Sequence, residues 1–409
     1  MSKTIAVLVT LDTKDQEAAY LKEQIESRGH QAMLMDIGVI GEAGIQADVS
    51  RAEIADSGGR SLDKLLANPS REEAGPVMVA GSRKILKDKI EQDEVHAVLG
   101  LGGTQGTSSC CDIMQALPYG FPKIMVSTVA SGDTSSFVGI KDITMMFSVS
   151  DILKLNPFTR KVLANAAAAA CGMAESESIF DMHKGDKPLI GMSNLGVLTQ
   201  GSIEAIKYFE EAGYEVIVFH AVGSGGRAME QMMKEGIIGA VFDYAMGEIA
   251  DDVFGVLRAG GPERLTVAGK LGIPQVLCPG GAEHLGILVP PNHVPDEYKN
   301  HKHVFHSPVV FVPRLNAEEI CRVADDIIQR LRHTKDKAYF MIPLKGVGRY
   351  SIPGATLEDK ESDRAFFDRL KSGLPKNIEV VERDLHAEEP AFVKEAVDLL
   401  IGLIEERSS

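Results

Sequence analysis

Glycines and hydroxyl side chains alternate through Gly100-Leu101-Gly102-Gly103-Thr104-Gln105-Gly106-Thr107-Ser108, between an apolar run and a helical pattern. Glycine lets a backbone turn sharply and aim several amides at one point. A helix beginning there, expected over about 107–117 and stopped by Pro118, adds unpaired N–H groups and the positive end of its dipole. Thr104, Thr107 and Ser108 add hydroxyl donors. The chemistry this serves is the holding of a phosphate or carboxylate, with Gly102, Gly103, Thr104, Gly106 and Thr107 as its residues. The plainer reading is a turn whose glycines only permit the fold and whose Thr107 caps the helix. No GKS or GKT follows, so this is not a Walker loop. A GxGxxG fingerprint is missing after the first strand, so a nicotinamide cofactor is the weaker alternative, although Asp36 ends the second strand where a ribose-binding acid would sit.

Thr10-Leu11-Asp12-Thr13-Lys14 also opens a helix after an apolar strand. Lys14 is suited to pair with phosphate, and Asp12 to hold magnesium or a ribose hydroxyl, with Thr10 and Thr13 beside them. Alternatively, an Asp or Thr here caps the helix together with Glu17. A third loop, Ser131-Gly132-Asp133-Thr134, follows another strand, and three such loops are expected to converge on one crevice.

The second half carries its own glycine turn, Val222-Gly223-Ser224-Gly225-Gly226-Arg227, after a strand ending in His220. Free amides there, with Arg227, suit a carboxylate or phosphate. Glu248 follows a further strand, and Gly280-Gly281-Ala282-Glu283-His284 another. His220, Arg227, Glu248, Glu283 and His284 are therefore the candidates for acid–base chemistry on a small acid. Satisfied strand-end histidines and solvated carboxylates are the alternative. The metal ligands stay unassigned: His293, His301, His303 and His306 crowd one polar loop, but their spacing matches neither HExxH nor a zinc finger. Cys110 and Cys111 sit in the helix after the first glycine turn, one expected to face the core and the other away.

These loops need strands and helices to carry them. Strand 5–10, helix 15–27, a turn at Gly29 and strand 32–36 begin the chain, and a helix around 85–91 leads to strand 97–100. The second half repeats the order, with Ile5 to Gly29 and Leu189 to Gly213 both 24 positions apart. Strands alternating with helices imply parallel sheets with right-handed crossovers. The expected fold is therefore α/β, with two Rossmann-like open parallel-sheet domains in tandem, 1–183 and 184–409, joined near 181–187. The alanine-rich stretch Val162–Met173 reads as a helix packed closely inside the domain, or as one crossing between subunits. A composite site between the two halves is the corresponding expectation for function.

The 409 residues carry 43 Lys and Arg against 58 Asp and Glu, a formal charge of −15, which repels a nucleic-acid backbone at long range. The apolar run near the start is too short for a signal peptide or membrane span. Five cysteines without a CxxC pair or disulfide-like spacing fit a cytoplasmic setting.

VTLDTK, GLGGTQGTS, VSTVASGD, KDITMMFSVSDI, VLANAAAAACGM, HAVGSGGRAMEQ, AGGPERL, GIPQVLCPGG and HAEEPAF occur in that order. Together they resemble the family of the tomato mosaic virus resistance protein across nearly the whole chain. The resemblance implies two Rossmann-like subdomains, ATP and magnesium in the first, and a homodimer. The chain departs from the family pattern at Gln105, at Asp243-Tyr244-Ala245, at Glu283-His284 and at Pro313-Arg314-Leu315. The leading expectation is an ATP-binding protein acting as an enzyme on a small acid or phosphorylated metabolite. A ligand-gated regulatory or partner-binding module without turnover is one alternative. A nucleotide-independent lyase or hydrolase in the second half is another.

Overall fold

The computed structural model describes residues 1–67, 71–176 and 187–408. The chain forms two compact units, Met1–Phe180 and Asp181–Ser409. Most of the junction expected at 181–187 lies outside the described residues.

The first unit is a five-stranded sheet of β1 (Thr4–Val9), β2 (Gln31–Asp36), β3 (Ala97–Gly102), β4 (Lys123–Ser127) and β5 (Thr144–Phe147), in the order β2-β1-β3-β4-β5. Every pairing is parallel. Such strands are covered on both sides, which is why β1 and β3 read as continuous apolar runs and are buried almost throughout. One face packs Ala18, Leu21 and Ile25 of the helix Asp15–Glu26, and Ala166, Ala167 and Ala170 of the helix Pro157–Ala174. The alanine stretch therefore serves close packing inside its own unit. The other face carries Ile54, Met78, Leu86 and Met114 from the helices Arg51–Ser57, Arg71–Glu91 and Thr104–Gln115. The helix expected only around 85–91 thus begins fourteen residues earlier, with Pro76 inside it. Cys110 and Cys111 are both buried, so neither faces away, and burial pushes the Cys111 thiol up to about 12.

The second unit holds β6 (Ile190–Asn194), β7 (Val216–His220), β8 (Ala240–Ala245) and β9 (Gln275–Gly280). A small antiparallel sheet of β10 (Ile287–Leu288), β11 (His303–Ser307) and β12 (Val310–Pro313) follows, then β13 (Ala338–Pro343) and β14 (Ile378–Arg383). The large sheet runs β14-β13-β9-β8-β6-β7, all parallel. Numbered within each unit, both sheets share the order 2-1-3-4-5, and the second adds a sixth strand. The internal correspondence is therefore topological. Gly29 and Gly213 close the first helix of each unit with φ of 83° and 79°, a conformation that costs glycine little. The chain is an α/β protein with two Rossmann-like parallel sheets.

Candidate functional site

In the first sheet the chain leaves β1 toward one face and β3 toward the other. Neighbouring strands whose connections part in this way leave a crevice at their carboxyl ends. A cleft of about 410 Å³ lies there, lined by Thr10, Asp12, Thr13 and Lys14 after β1, and by Gly102, Gly103, Thr104 and Gly106 after β3. The structure thus brings eight of the proposed nucleotide-binding residues to one wall. The segment after β2, with Gly38, Val39 and Ile40, and the helix Arg71–Glu91, with Met78 and Val79, complete it.

The helix after β3 starts at Thr104, three residues earlier than its pattern indicates, with Gly103 as N-cap and no side-chain cap. Gly102 is required by close approach, because an added Cβ would lie 2.7 Å from Gly106 Cα. Thr107 is inside the helix, not its cap. Its hydroxyl is buried and pairs with Ser127 Oγ at 2.7 Å, so it does not line the cleft. The helix Asp15–Glu26 likewise lacks a side-chain cap at its N-cap, Lys14, contrary to the capping alternative. Two helix N-termini thus meet the cleft without a side chain of their own satisfying the first amides.

Thr10 Oγ1 and Thr13 Oγ1 lie 3.1 Å apart, and Lys14 Nζ donates to the Ile152 carbonyl at 2.6 Å. Asp36 does not reach the cleft wall. Its Oδ1 accepts from the Leu11 and Gly38 amides at 3.2 and 3.0 Å, fixing the two loops beside it. Ser131, Gly132 and Asp133 are also absent from the cleft wall, and Asp133 accepts from the Ser135 amide. The convergence of loops therefore involves those after β1, β2 and β3.

The second unit gathers charge differently. Glu248 is fully buried, and its Oε1 accepts from the amides of Gly223 and Gly226 at 2.6 and 3.0 Å. The expectation of free amides in the second glycine turn is thereby corrected, because a carboxylate of the same chain already occupies two of them. Glu248 Oε2 accepts from Nε of the fully buried Arg264 at 2.6 Å. The Arg264 fork also grips Asp243, with nitrogen–oxygen distances of 2.5 and 2.6 Å, and lies 3.4 Å from Glu230. Burial raises the Glu230 pKa to about 7, against the pull of Arg264 and with the help of Asp243.

Glu283 and His284, after β9, are buried beside two further arginines, Arg258 and Arg314. The Arg258 guanidinium forks to Asp251 through Nε and Nη2, both at 2.8 Å, its backbone amide donates to Asp251 Oδ2 at 2.8 Å, and its Nη1 lies 3.5 Å from His284 Nε2. Arg314 donates to Asp363 at 2.7 Å. Burial alone would raise Glu283, yet His284 and Arg314 hold it down to about 2. His284 Nδ1 lies 3.2 Å from Glu283 Oε1, while Glu283 Oε2 and Arg314 Nε have no hydrogen-bond partner among the described residues. His220 sits exposed at the end of the edge strand, and Arg227 Nε donates to the Gly223 carbonyl at 3.2 Å. Neither joins the buried pairs through a hydrogen bond or ion pair that the described residues show.

His301 pairs with Glu319, and His306 with the Tyr350 hydroxyl. Among the described residues no three His, Cys, Asp or Glu side chains are grouped to hold a metal, and no helix is long and apolar enough to cross a membrane.

The sheets and the cleft define a tandem Rossmann-like α/β protein with an open crevice at the switch point of its first sheet. The chain belongs to the uncharacterised protein family UPF0261, whose N-terminal domain matches residues 3–178 and whose C-terminal domain matches residues 187–404. A UPF0261 protein of Clostridium tetani is 39% identical over 99% of this chain and 100% of its own length. One from Mesorhizobium japonicum is 34% identical over 96% and 97%. The ToMV resistance protein Tm-1 of Solanum lycopersicum is 32% identical over 76% of this chain and 42% of its own length. The resemblance read from the motifs is thus to true relatives.

Proposed function

We propose that the first unit binds a nucleotide, ATP with magnesium, with its phosphates at the ends of β1 and β3. The observation that carries this is the meeting of two uncapped helix N-termini in one cleft, alongside Thr10, Thr13 and Lys14. Backbone amides at a helix start favour anions through both hydrogen bonding and the dipole. The volume suits a small-molecule site. Asp12, a carboxylate at this wall, is the residue that would hold magnesium, whose charge would neutralise the phosphates.

ATP or ADP with magnesium at about 100 times its dissociation constant should add roughly 2.7 kcal/mol of stability. For a unit of this size that is a rise of roughly 5–10 °C in melting temperature. Gly103→Val should remove the rise while preserving the fold, since a Cβ at Gly103 meets only Thr128 Oγ1, at 3.7 Å. An undiminished rise in that variant would place the nucleotide elsewhere.

In the enzyme reading, chemistry on a small acid belongs to the second unit. Glu283 and His284 are the favoured proton carriers, because they form a buried pair with 3.2 Å between Nδ1 and Oε1 and Glu283 Oε2 keeps no hydrogen-bond partner among the described residues. His220, Arg227 and Glu248 complete the candidate set. A regulatory module without turnover is the second reading, favoured by the internal pairing of Glu248 with Arg264 and of Asp251 with Arg258. Release of ADP or phosphate, measured with and without small carboxylic acids, separates the two.

A homodimer completes the proposal. Phe147, Val149, Leu153 and Phe158 are large apolar side chains exposed within one short segment, a surface a second copy would cover. Light scattering at micromolar concentration should give twice the chain mass of 44.1 kDa. A monomer there would refute it.

A further inference from the structure

The cleft has two kinds of wall. Its polar side chains all come from 10–14 and from 104–109 (Thr104, Gln105 and Ser109), the segments at the ends of β1 and β3. The remaining wall, from the segment after β2 and from the helix Arg71–Glu91, is Ile37, Val39, Ile40, Ala74, Met78 and Val79 with two glycines. It offers no side-chain donor or acceptor. Much of its backbone is already engaged. The Ile37 amide donates to the Val9 carbonyl, and the Gly38 amide to Asp36. The Val39, Ile40 and Gly41 carbonyls all accept from Arg51 Nη1. Asp36, placed where a ribose-binding acid would sit, is turned to the loop amides instead.

We propose that this cleft grips phosphates and packs the base against aliphatic side chains without reading its edge, so that it accepts purine nucleotides with little regard to the group at ring position 6. The inference rests on the nucleotide reading above. Its physical basis is an asymmetry in what pockets reject. A site built to hydrogen-bond a group discriminates against its absence by about 10⁴–10⁵, whereas an apolar wall manages about 10² at most. An aliphatic wall rewards ring area, which ATP, GTP and ITP share, and has no side chain to pair with an amino or keto group.

Isothermal titration of the full chain with magnesium and, in turn, ATP, GTP and ITP tests this directly. The expected result is three dissociation constants within about 10² of one another. A preference well beyond about 10² for one base overturns the inference and leaves nucleotide binding standing. If none of the three binds, the nucleotide reading fails, and this inference fails with it.

Discussion

Arg264→Met should cost the second unit about 3–5 kcal/mol, the usual penalty for breaking a buried ion pair by removing one partner. Arg264 is fully buried and is the cation that Asp243, Glu248 and Glu230 share. Methionine fills much of the volume but answers none of the charge, so three carboxylates are left together out of water. The loss should shrink as the pH falls, because protonation relieves their repulsion, and Glu230, already raised to about 7, should take up its proton first. Urea unfolding of both proteins at pH 5.5 and pH 8 measures the effect. A loss below 1 kcal/mol, or one that grows in acid, would show that the arginine does not hold this cluster together.

Gly226→Ala should cost about 3 kcal/mol by overpacking the same place. An added Cβ would fall on Glu248 Oε2 and on Arg264 Nε and Cδ, all of them closer than a real contact allows. Neither partner has room to retreat, since Glu248 is fixed by two amides and Arg264 by Asp243. Because the alanine acts partly through the arginine, the two substitutions should be non-additive by at least about 1 kcal/mol in a double-mutant cycle. Strict additivity would mean that the glycine is needed for some reason other than the closeness of this pair.

The first-unit cleft was largely legible before folding because its marks are local. Glycines, hydroxyls and a lysine cluster within two short segments, each between a strand pattern and a helix pattern. What composition concealed was where the helix begins. Gly106 looks like part of a turn, yet it lies in the first turn of the helix, where the missing side chain of Gly102 lets its backbone come close. The wall helix was hidden by Gly75, Pro76 and Gly81, each a helix breaker by propensity. Packing overrides that propensity at Gly81, where any Cβ would strike the Ile54 carbonyl of the neighbouring helix.

The second-unit network was hardly legible, and Arg258, Arg264 and Arg314 gave no signal of their roles. Their partners are remote in sequence: Arg264 and Asp243 are 21 positions apart, and Arg314 and Asp363 are 49 apart. A lone arginine amid polar residues reads as solvated until the fold encloses it. Glu248 stood out for its place after a strand, which was right. Its attachment to the 223–226 turn arises only when the strands assemble.

The contrast between the two glycine turns bears on how a ligand would compete in each. Glu248 is tethered to the amides of Gly223 and Gly226 by the fold itself. A tethered group acts at an effective concentration in the millimolar range even on a loose linker, and higher when it is held rigidly. A free metabolite carboxylate at micromolar levels would be outnumbered there a thousandfold or so before any difference in contacts counted. The turn after β3 faces no such resident from its N-cap. Of two similar sheets, one has its glycine turn saturated by a carboxylate of its own chain, while the turn of the other has no such occupant from its N-cap.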